Sequence, residues 1–313
     1  IIPTTSVVFD GLGLECSDVN ADGYADVIVG NWSGSPVETI SIYNGTSTGV
    51  QTTPYTWTFS SGAWYYGIHL VAADYNGDGK KDLAVGAYGI GYIYFHYGQG
   101  AAGLSSTRSG PTALYVHESF YGITFEVCDF SNDGYPDLAV SWRTSNSSLG
   151  SVWIYSNVGG SWTLVTTLWG TAPAGTYGYA VHCGDLNGDS NLDLIVGANA
   201  EAKTYIYYGT GNIWTLPQTP NVTLTGDAPR SIAISDIDWD GVDDIIVGST
   251  AANRINLYWG GSRLFTGVAA GWSYQGPTGS SGIRVSPLGN VDGYGTRDFV
   301  FGSLTYTNGE TSE

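Results

Sequence analysis

The chain has 313 residues, only 12% of them charged, with 46 glycines, 14% aromatic residues and a formal net charge of −18. That acidity argues against nucleic acid and against anionic membrane surfaces as partners. The many glycines and few Glu, Lys and Arg argue against a helical protein and for short strands joined by tight turns. No stretch approaches the ~18 apolar residues of a membrane span, so membrane insertion is not expected, and no N-terminal signal sequence is present. Ile1 at the start and the absence of Met are what a processed or partial chain would show.

In chain order, Thr4–Phe9 reads as a strand and is followed by a string of aspartates, Asp18-Val-Asn20-Ala-Asp22-Gly23-Tyr24-Ala-Asp26. A compact apolar strand ending in Gly comes next (Val27–Gly30), then an alternating one (Ile40–Tyr43) and a fourth (Tyr55–Phe59). The same order then recurs. Gly67–Ala73 leads into Asp74-Tyr-Asn76-Gly-Asp78-Gly79-Lys80-Lys-Asp82, Leu83–Gly86 and Tyr92–Phe95. Asp129-Phe-Ser131-Asn-Asp133-Gly134-Tyr135-Pro-Asp137 is followed by Val152–Tyr155 and Trp162–Thr166. Asp185-Leu-Asn187-Gly-Asp189-Ser190-Asn191-Leu-Asp193 is followed by Leu194–Gly197 and Tyr205–Tyr208. Ile232–Ser235 leads into Asp236-Ile-Asp238-Trp-Asp240-Gly241-Val242-Asp243-Asp244, then Ile245–Gly248 and Ile255–Tyr258. A sixth string, Asn290-Val-Asp292-Gly293 to Asp298, is degenerate: Leu288 stands where the first acid belongs.

The five full strings begin 56, 55, 56 and 51 residues apart. Period-2 alternation marks the segments between them as strands, and four short strands per ~55 residues describe a propeller blade. The expected fold is all-β: one β-propeller over residues 1–313, with six four-stranded blades, or seven if chain is missing. Thr4–Phe9 is expected to complete the C-terminal blade, which looks unfinished because Thr307–Glu313 is poor strand material.

Calcium takes six to eight oxygen ligands, and each string offers such a set. Position 1 supplies Asp18, Asp74, Asp129, Asp185 and Asp236; position 3 supplies Asn20, Asn76, Ser131, Asn187 and Asp238. Position 5 supplies Asp22, Asp78, Asp133, Asp189 and Asp240, and position 9 Asp26, Asp82, Asp137, Asp193 and Asp244. A backbone carbonyl at position 7 (Tyr24, Lys80, Tyr135, Asn191, Val242) completes each set, and Gly at position 6 allows the sharp turn. The loops run into strands and lack a position-12 Glu, so they are not EF-hands. Of the 28 acids, 19 lie in the six strings, and without cations they would repel one another strongly. About five structural Ca²⁺ ions are therefore expected, which would bring the formal charge from −18 to −8.

These repeats resemble FG-GAP repeats. The matching pieces are Tyr66-Gly67, Tyr121-Gly122 and Tyr177-Gly178 before the loops, and Gly86-Ala87-Tyr88 and Gly197-Ala198-Asn199 after them. The resemblance is to the family of the integrin α-subunit propeller and of several extracellular lectins. It implies a propeller with calcium in hairpin loops on one rim, used outside the cell for adhesion or recognition, and it assigns no ligand-binding residue.

His69, His96, His117 and His182 carry no catalytic or zinc spacing, so packed or surface roles are expected. Cys16, Cys128 and Cys183 are read as small buried thiols, with a Cys128–Cys183 bridge as the alternative. Trp32, Tyr88 and Trp142 follow the second strand in three repeats and are candidates for a ring of similar sites or an interface. Sequons at Asn31, Asn44, Asn146 and Asn221 are candidate glycan sites of a secreted or cell-surface glycoprotein. The expected function is a non-enzymatic extracellular module that binds a protein or glycan. The alternatives are a filament or sheath protomer whose last blade is finished by a neighbouring copy, and a scaffold domain of a larger secreted enzyme.

Overall fold

The computed structural model describes residues 12–31, 38–59, 66–87, 90–107, 114–116, 123–143, 149–172, 176–249, 252–262, 270–276, 280–287 and 299–305. Thr4–Phe9, the sixth string, Thr307–Glu313, Trp32, Tyr88, His117, Tyr121, Gly122 and Asn146 lie outside those residues.

The regular structure of the described residues is nearly all strand, joined by turns and three short 3-10 segments. β1 (Leu12–Ser17), β2 (Asp26–Asn31), β3 (Glu38–Tyr43) and β4 (Tyr55–Phe59) make the first sheet. β5 (Tyr66–Ala73), β6 (Asp82–Ala87), β7 (Tyr92–His96) and β8 (Leu114–Tyr115) make the second. β9 (Ile123–Cys128), β10 (Asp137–Trp142), β11 (Ser151–Val158) and β12 (Ser161–Trp169) make the third. β13 (Tyr177–Gly184), β14 (Asp193–Ala198), β15 (Lys203–Tyr207) and β16 (Val222–Thr225) make the fourth. β17 (Pro229–Ser235), β18 (Asp244–Ser249), β19 (Arg254–Tyr258) and β20 (Trp272–Gln275) make the fifth. β21 (Ser280–Pro287) and β22 (Phe299–Thr305) pair as a two-stranded sheet. Chain order is spatial order in every sheet, so each four-stranded sheet is a meander. Each of the five full aspartate strings is the turn between a sheet's first and second strands.

By contacts the chain divides inside the third sheet into two compact units. One comprises residues 1–127, 133–138 and 155–164, the other 128–132, 139–154 and 165–313. In the first unit, Ile28, Ile40, Ile42 and Trp57 of the first sheet pack with Tyr66, Leu70, Leu83 and Val85 of the second. In the second unit, Ile195, Ile206 and Leu224 of the fourth sheet pack with Ile232, Ile245 and Val247 of the fifth. Ile246, Ile255 and Leu257 of the fifth pack with Val285 of β21. Stacking sheet on sheet buries both faces of the second strands, and β6, β14 and β18 are buried at every position. That is why Val, Ile, Leu, Ala and Gly run unbroken there, whereas β20 is exposed throughout.

The Tyr-Gly pairs have a packing reason. Gly67 sits at φ 90°, where β5 bulges, and a Cβ on Gly30 would lie 1.8 Å from its carbonyl oxygen. Only two glycines let first and second sheets approach this closely. The adjoining tyrosines are buried, Tyr66 OH meeting His96 Nε2 and Tyr177 OH meeting Tyr207 OH at 2.7 Å. Cys128 and Cys183 form a disulfide between β9 and β13, and Cys16 is exposed, so the expectation of three buried thiols fails. The alternative bridge was the right one: Cys128 directly precedes the third string and Cys183 stands two residues before the fourth, and their strands bring the Cα atoms to 6.3 Å.

Candidate metal loops

The strings fold alike. The position-1 carboxylate turns back over its own loop. Asp18 accepts the N–H groups of Asp22 (3.1 Å) and Gly23 (2.8 Å), and Asp74 those of Asp78 (3.1 Å) and Gly79 (2.7 Å). Asp185 accepts from Asp189 (3.1 Å) and Ser190 (2.7 Å), and Asp236 from Asp240 and Gly241 (both 3.1 Å). The position-3 amides of Asn20, Asn76 and Asn187 accept from the position-5 N–H at 2.9, 2.9 and 2.8 Å. In the third string Ser131 donates instead to Asp129, at 3.3 Å. Position 5 accepts the N–H of position 7 in all five strings, with Tyr24, Lys80, Tyr135, Asn191 and Val242 donating at 2.8 to 3.0 Å.

Two backbone positions turn left-handed. Position 6 was expected to, and it holds Gly23, Gly79, Gly134 and Gly241, with Ser190 the exception at φ 67°. Position 4 does so too, and there Ala21, Asn132 and Trp239 adopt φ values of 59°, 54° and 64°. A side chain in this region costs about 1–2 kcal/mol, so the loop is held against its local preference.

Position 9 is where the loop joins the sheet. Asp26, Asp82, Asp137, Asp193 and Asp244 are all buried. In four strings one carboxylate oxygen accepts the position-2 N–H, from Val19, Tyr75, Leu186 and Ile237. In all five the other accepts an N–H at the end of the third strand or just beyond it, from Gly45, Gly98, Asn157, Gly209 and Gly260 at 2.7 to 2.9 Å. Those glycines lie against the position-8 carbonyl: a Cβ would stand 2.2, 2.4, 2.1 and 2.3 Å from the oxygens of Ala25, Lys81, Leu192 and Asp243. Asn157 replaces the glycine in the third sheet and donates its side-chain amide to Pro136 O at 3.2 Å. Sequence reasoning missed these five residues, although a glycine one or two places after the third-strand tyrosine was the visible signal.

Burial pushes the position-9 carboxyls up: Asp82 and Asp244 to about 6 and Asp193 to about 7, with Asp26 raised in the same direction. Like charges at positions 1, 3 and 5 add to the rise. A carboxylate in that setting is best kept ionised by a cation. Oxygen atoms of Asp236, Asp238 and Asp244 lie within 4.8 Å of one another, the donor chemistry a hard cation needs. Oδ2 of Asp18, Asp74, Asp185 and Asp236 accepts one backbone N–H each and keeps a second lone pair for a metal. Thus the residues present fit Ca²⁺, and the four oxygen-bearing side chains of each string, acidic or amide except for the Ser131 hydroxyl, would hold it.

Neighbouring loops are also knitted together in the second unit. Asn132 donates to Asn191 at 2.9 Å, and Asp243 at position 8 accepts from the Asp185 N–H at 3.0 Å while its own N–H reaches Asp185 O. His69 and His96 behave as packed groups: His69 bonds to Phe125 O (2.7 Å), its burial lowering the ring to about 4, and His96 bonds to Ser105 O. Among the described sequons, Asn31 ends β2, Asn44 follows β3, and Asn221 is exposed and accepts the Tyr208 N–H.

The FG-GAP-like repeat family matches residues 18–85, 74–140, 129–196 and 185–247, so the chain belongs to that family. It is 26% identical over 228 residues to integrin alpha-8 of Gallus gallus, covering 62% of this chain and 21% of the integrin. It is 28% identical over 185 residues to a phosphatidylinositol-glycan-specific phospholipase D of Dictyostelium discoideum, covering 48% and 19%. The chain thus spans about a fifth of the length of these curated relatives. Its fold is similar to that of the Bacillus licheniformis rhamnogalacturonan lyase PL11 (TM-score 0.53, 13% identity, 94% of this chain and 56% of that one).

Proposed function

We propose that the chain is a calcium-stabilised, non-enzymatic recognition module that works outside the cell and binds a protein ligand. Its sheets are the blades of a propeller, six in number, with Ca²⁺ in the first five aspartate strings. The observation that carries this reading is the shared register of four loops around buried position-9 carboxylates, with Asp236, Asp238 and Asp244 already gathered. The integrin relative supports a recognition role, and millimolar extracellular calcium would fill even weak sites. Each site held at a hundredfold its Kd adds about 2.7 kcal/mol to the folded state. Stripping the chain with EGTA should therefore lower its Tm by more than about 10 °C, and calorimetric titration with CaCl₂ should restore it with about five ions bound. An unchanged Tm after chelation would sink the reading.

The phospholipase D relative favours a second reading, a scaffold within a larger secreted enzyme. That reading requires a catalytic domain beside this chain in the gene, and loss of that domain's activity when the chain is unfolded by EGTA.

A further inference from the structure

The fifth string carries a carboxylate that its candidate ligand set leaves out. Asp243 stands at position 8, where Ala25, Lys81, Pro136 and Leu192 stand in the other full strings. Its Oδ2 accepts the backbone N–H of Asp185, position 1 of the fourth string, at 3.0 Å, and its own N–H donates to Asp185 O at 2.9 Å. One residue on, Leu186 O accepts the Gly261 N–H at 2.8 Å, while Leu186 N–H donates to the position-9 carboxylate of Asp193 at 2.9 Å. Gly260, next to Gly261, donates to Asp244, the position-9 carboxylate of the fifth string, at 2.9 Å. Three hydrogen bonds thus join the two strings, and they begin and end beside candidate ligands.

Packing leaves this junction little slack. A Cβ on Gly184 would stand 2.8 Å from Asp243 Oδ2, and one on Gly188 would stand 3.0 Å from Val242 Cγ2. Glycine at 184 lets the carboxylate reach Asp185, and glycine at position 4 of the fourth string seats the position-7 residue of the fifth. Asp185 and Asp243 are both half-buried, where a charge-assisted hydrogen bond is less weakened by water than at the surface.

Taking up a cation includes the cost of ordering the loop that holds it. An ordered fifth string fixes Asp243 between Val242 and Asp244, whose carbonyl and carboxylate belong to its ligand set. Asp243 in turn holds the Asp185 main chain, and with it the carboxylate that heads the fourth set. The fourth string is then partly ordered before its own cation arrives, and by linkage the help is mutual.

We propose that Asp243 is a positioning residue that couples the fourth and fifth strings, so that they take up calcium cooperatively. This rests on the calcium reading of the loops and says how two of them act together.

The test is hydrogen exchange read by mass spectrometry on the EGTA-stripped chain as CaCl₂ is added. Peptides covering each string report the calcium concentration at half-protection separately. Asp240→Asn removes a ligand carboxylate from the fifth string while keeping an oxygen for the Val242 N–H. It should raise the fourth string's midpoint about fivefold or more and leave that of the first string, in the other unit, unchanged. In an Asp243→Ala background, adding Asp240→Asn should no longer move the fourth string. Asp243→Asn, which retains an acceptor for the Asp185 N–H, should preserve the shift. Slow exchange of β14 and β18 throughout the titration verifies that each variant is folded.

A fourth-string midpoint that ignores Asp240→Asn overturns the coupling and leaves the calcium reading intact. So does an equal shift of the first string, which would mean a general loosening. A shift that survives Asp243→Ala, or that Asp243→Asn abolishes, overturns the role given to the Asp243 acceptor. No calcium-dependent protection in any string overturns the calcium reading and the coupling together.

Discussion

The two ends of these sheets solve different problems. At the aspartate end one solution is used five times: a buried position-9 carboxylate, amides donated from beyond the third strand, and a left-handed turn. At the other end each sheet does something of its own. Glu201 takes Lys203 and Tyr205 in the fourth sheet; Asp227 takes Arg254, Asn256 and Tyr258 in the fifth. Repetition marks a structural task, because every sheet needs its first three strands tied together. Variety marks the end at which side chains are released from that task and can serve recognition.

Breaking the structural end should cost most. Asp193→Ala removes the acceptor of the Leu186 and Gly209 amides and leaves two buried donors unpaired. At about 1–3 kcal/mol per donor, a loss of about 3–5 kcal/mol is expected in urea unfolding, measured in EGTA so that metal is not part of the difference. Arg230 lies on β17 near the other end, and Arg230→Gln under the same conditions should shift stability by less than about 0.5 kcal/mol. Equal losses from the two would erase the distinction between the ends.

How much of this was legible follows from what is local. The strings were readable because all their ligands fall within nine residues, and the strands because alternation is a short-range signal; β4 has the expected limits, Tyr55–Phe59. The unbroken burial of β6, β14 and β18 was also visible, as apolar runs ending in Gly or Ala. What joins distant positions was not. Asp82 reaches Gly98 across sixteen residues, and nothing in either residue announces the other. Cys128 and Cys183 stand one and two residues before their strings in adjacent repeats, which made a bridge conceivable but did not exclude two packed thiols. Arg143 and Arg230 each lie beside the Tyr179 ring from another repeat, and no shared motif announces either contact.

The glycine beyond the third strand sharpens the comparison on the structural side. A methyl group on Gly209 would lie 2.1 Å from Leu192 O, so Gly209→Ala should force the loop away from the strand and cost about 2–3 kcal/mol. The third sheet shows what a side chain needs here, since Asn157 keeps the amide bond to Asp137 and adds one to Pro136 O. Gly209→Asn carries the same Cβ and should cost about as much in the same unfolding assay. If alanine is tolerated without loss, close contact is not what fixes the residue.

A smaller effect than that of Gly209 lies between the two ends, on the first strands of the first and third sheets. Burial raises Glu15 on β1 to about 7 and Glu126 on β9 to about 8, and the Glu15 charge pushes Glu126 further the same way. Both values exceed the usual 4.5, so the folded state holds these protons more tightly than the unfolded one. Their contribution is therefore most favourable below about pH 4.5 and is lost as pH rises through 7 to 8. Glu126→Gln should leave stability unchanged near pH 4.5 and raise it by about 1–2 kcal/mol at pH 9, an amount reduced for the part of the residue that solvent reaches. The quantity to follow is the difference between variant and wild type across that range in saturating calcium. A difference that stays flat from pH 5 to 9 would mean that Glu126 is ionised in the fold throughout. The pair would then belong with the clustered carboxylates of the loop end, not with the neutral packing between the ends.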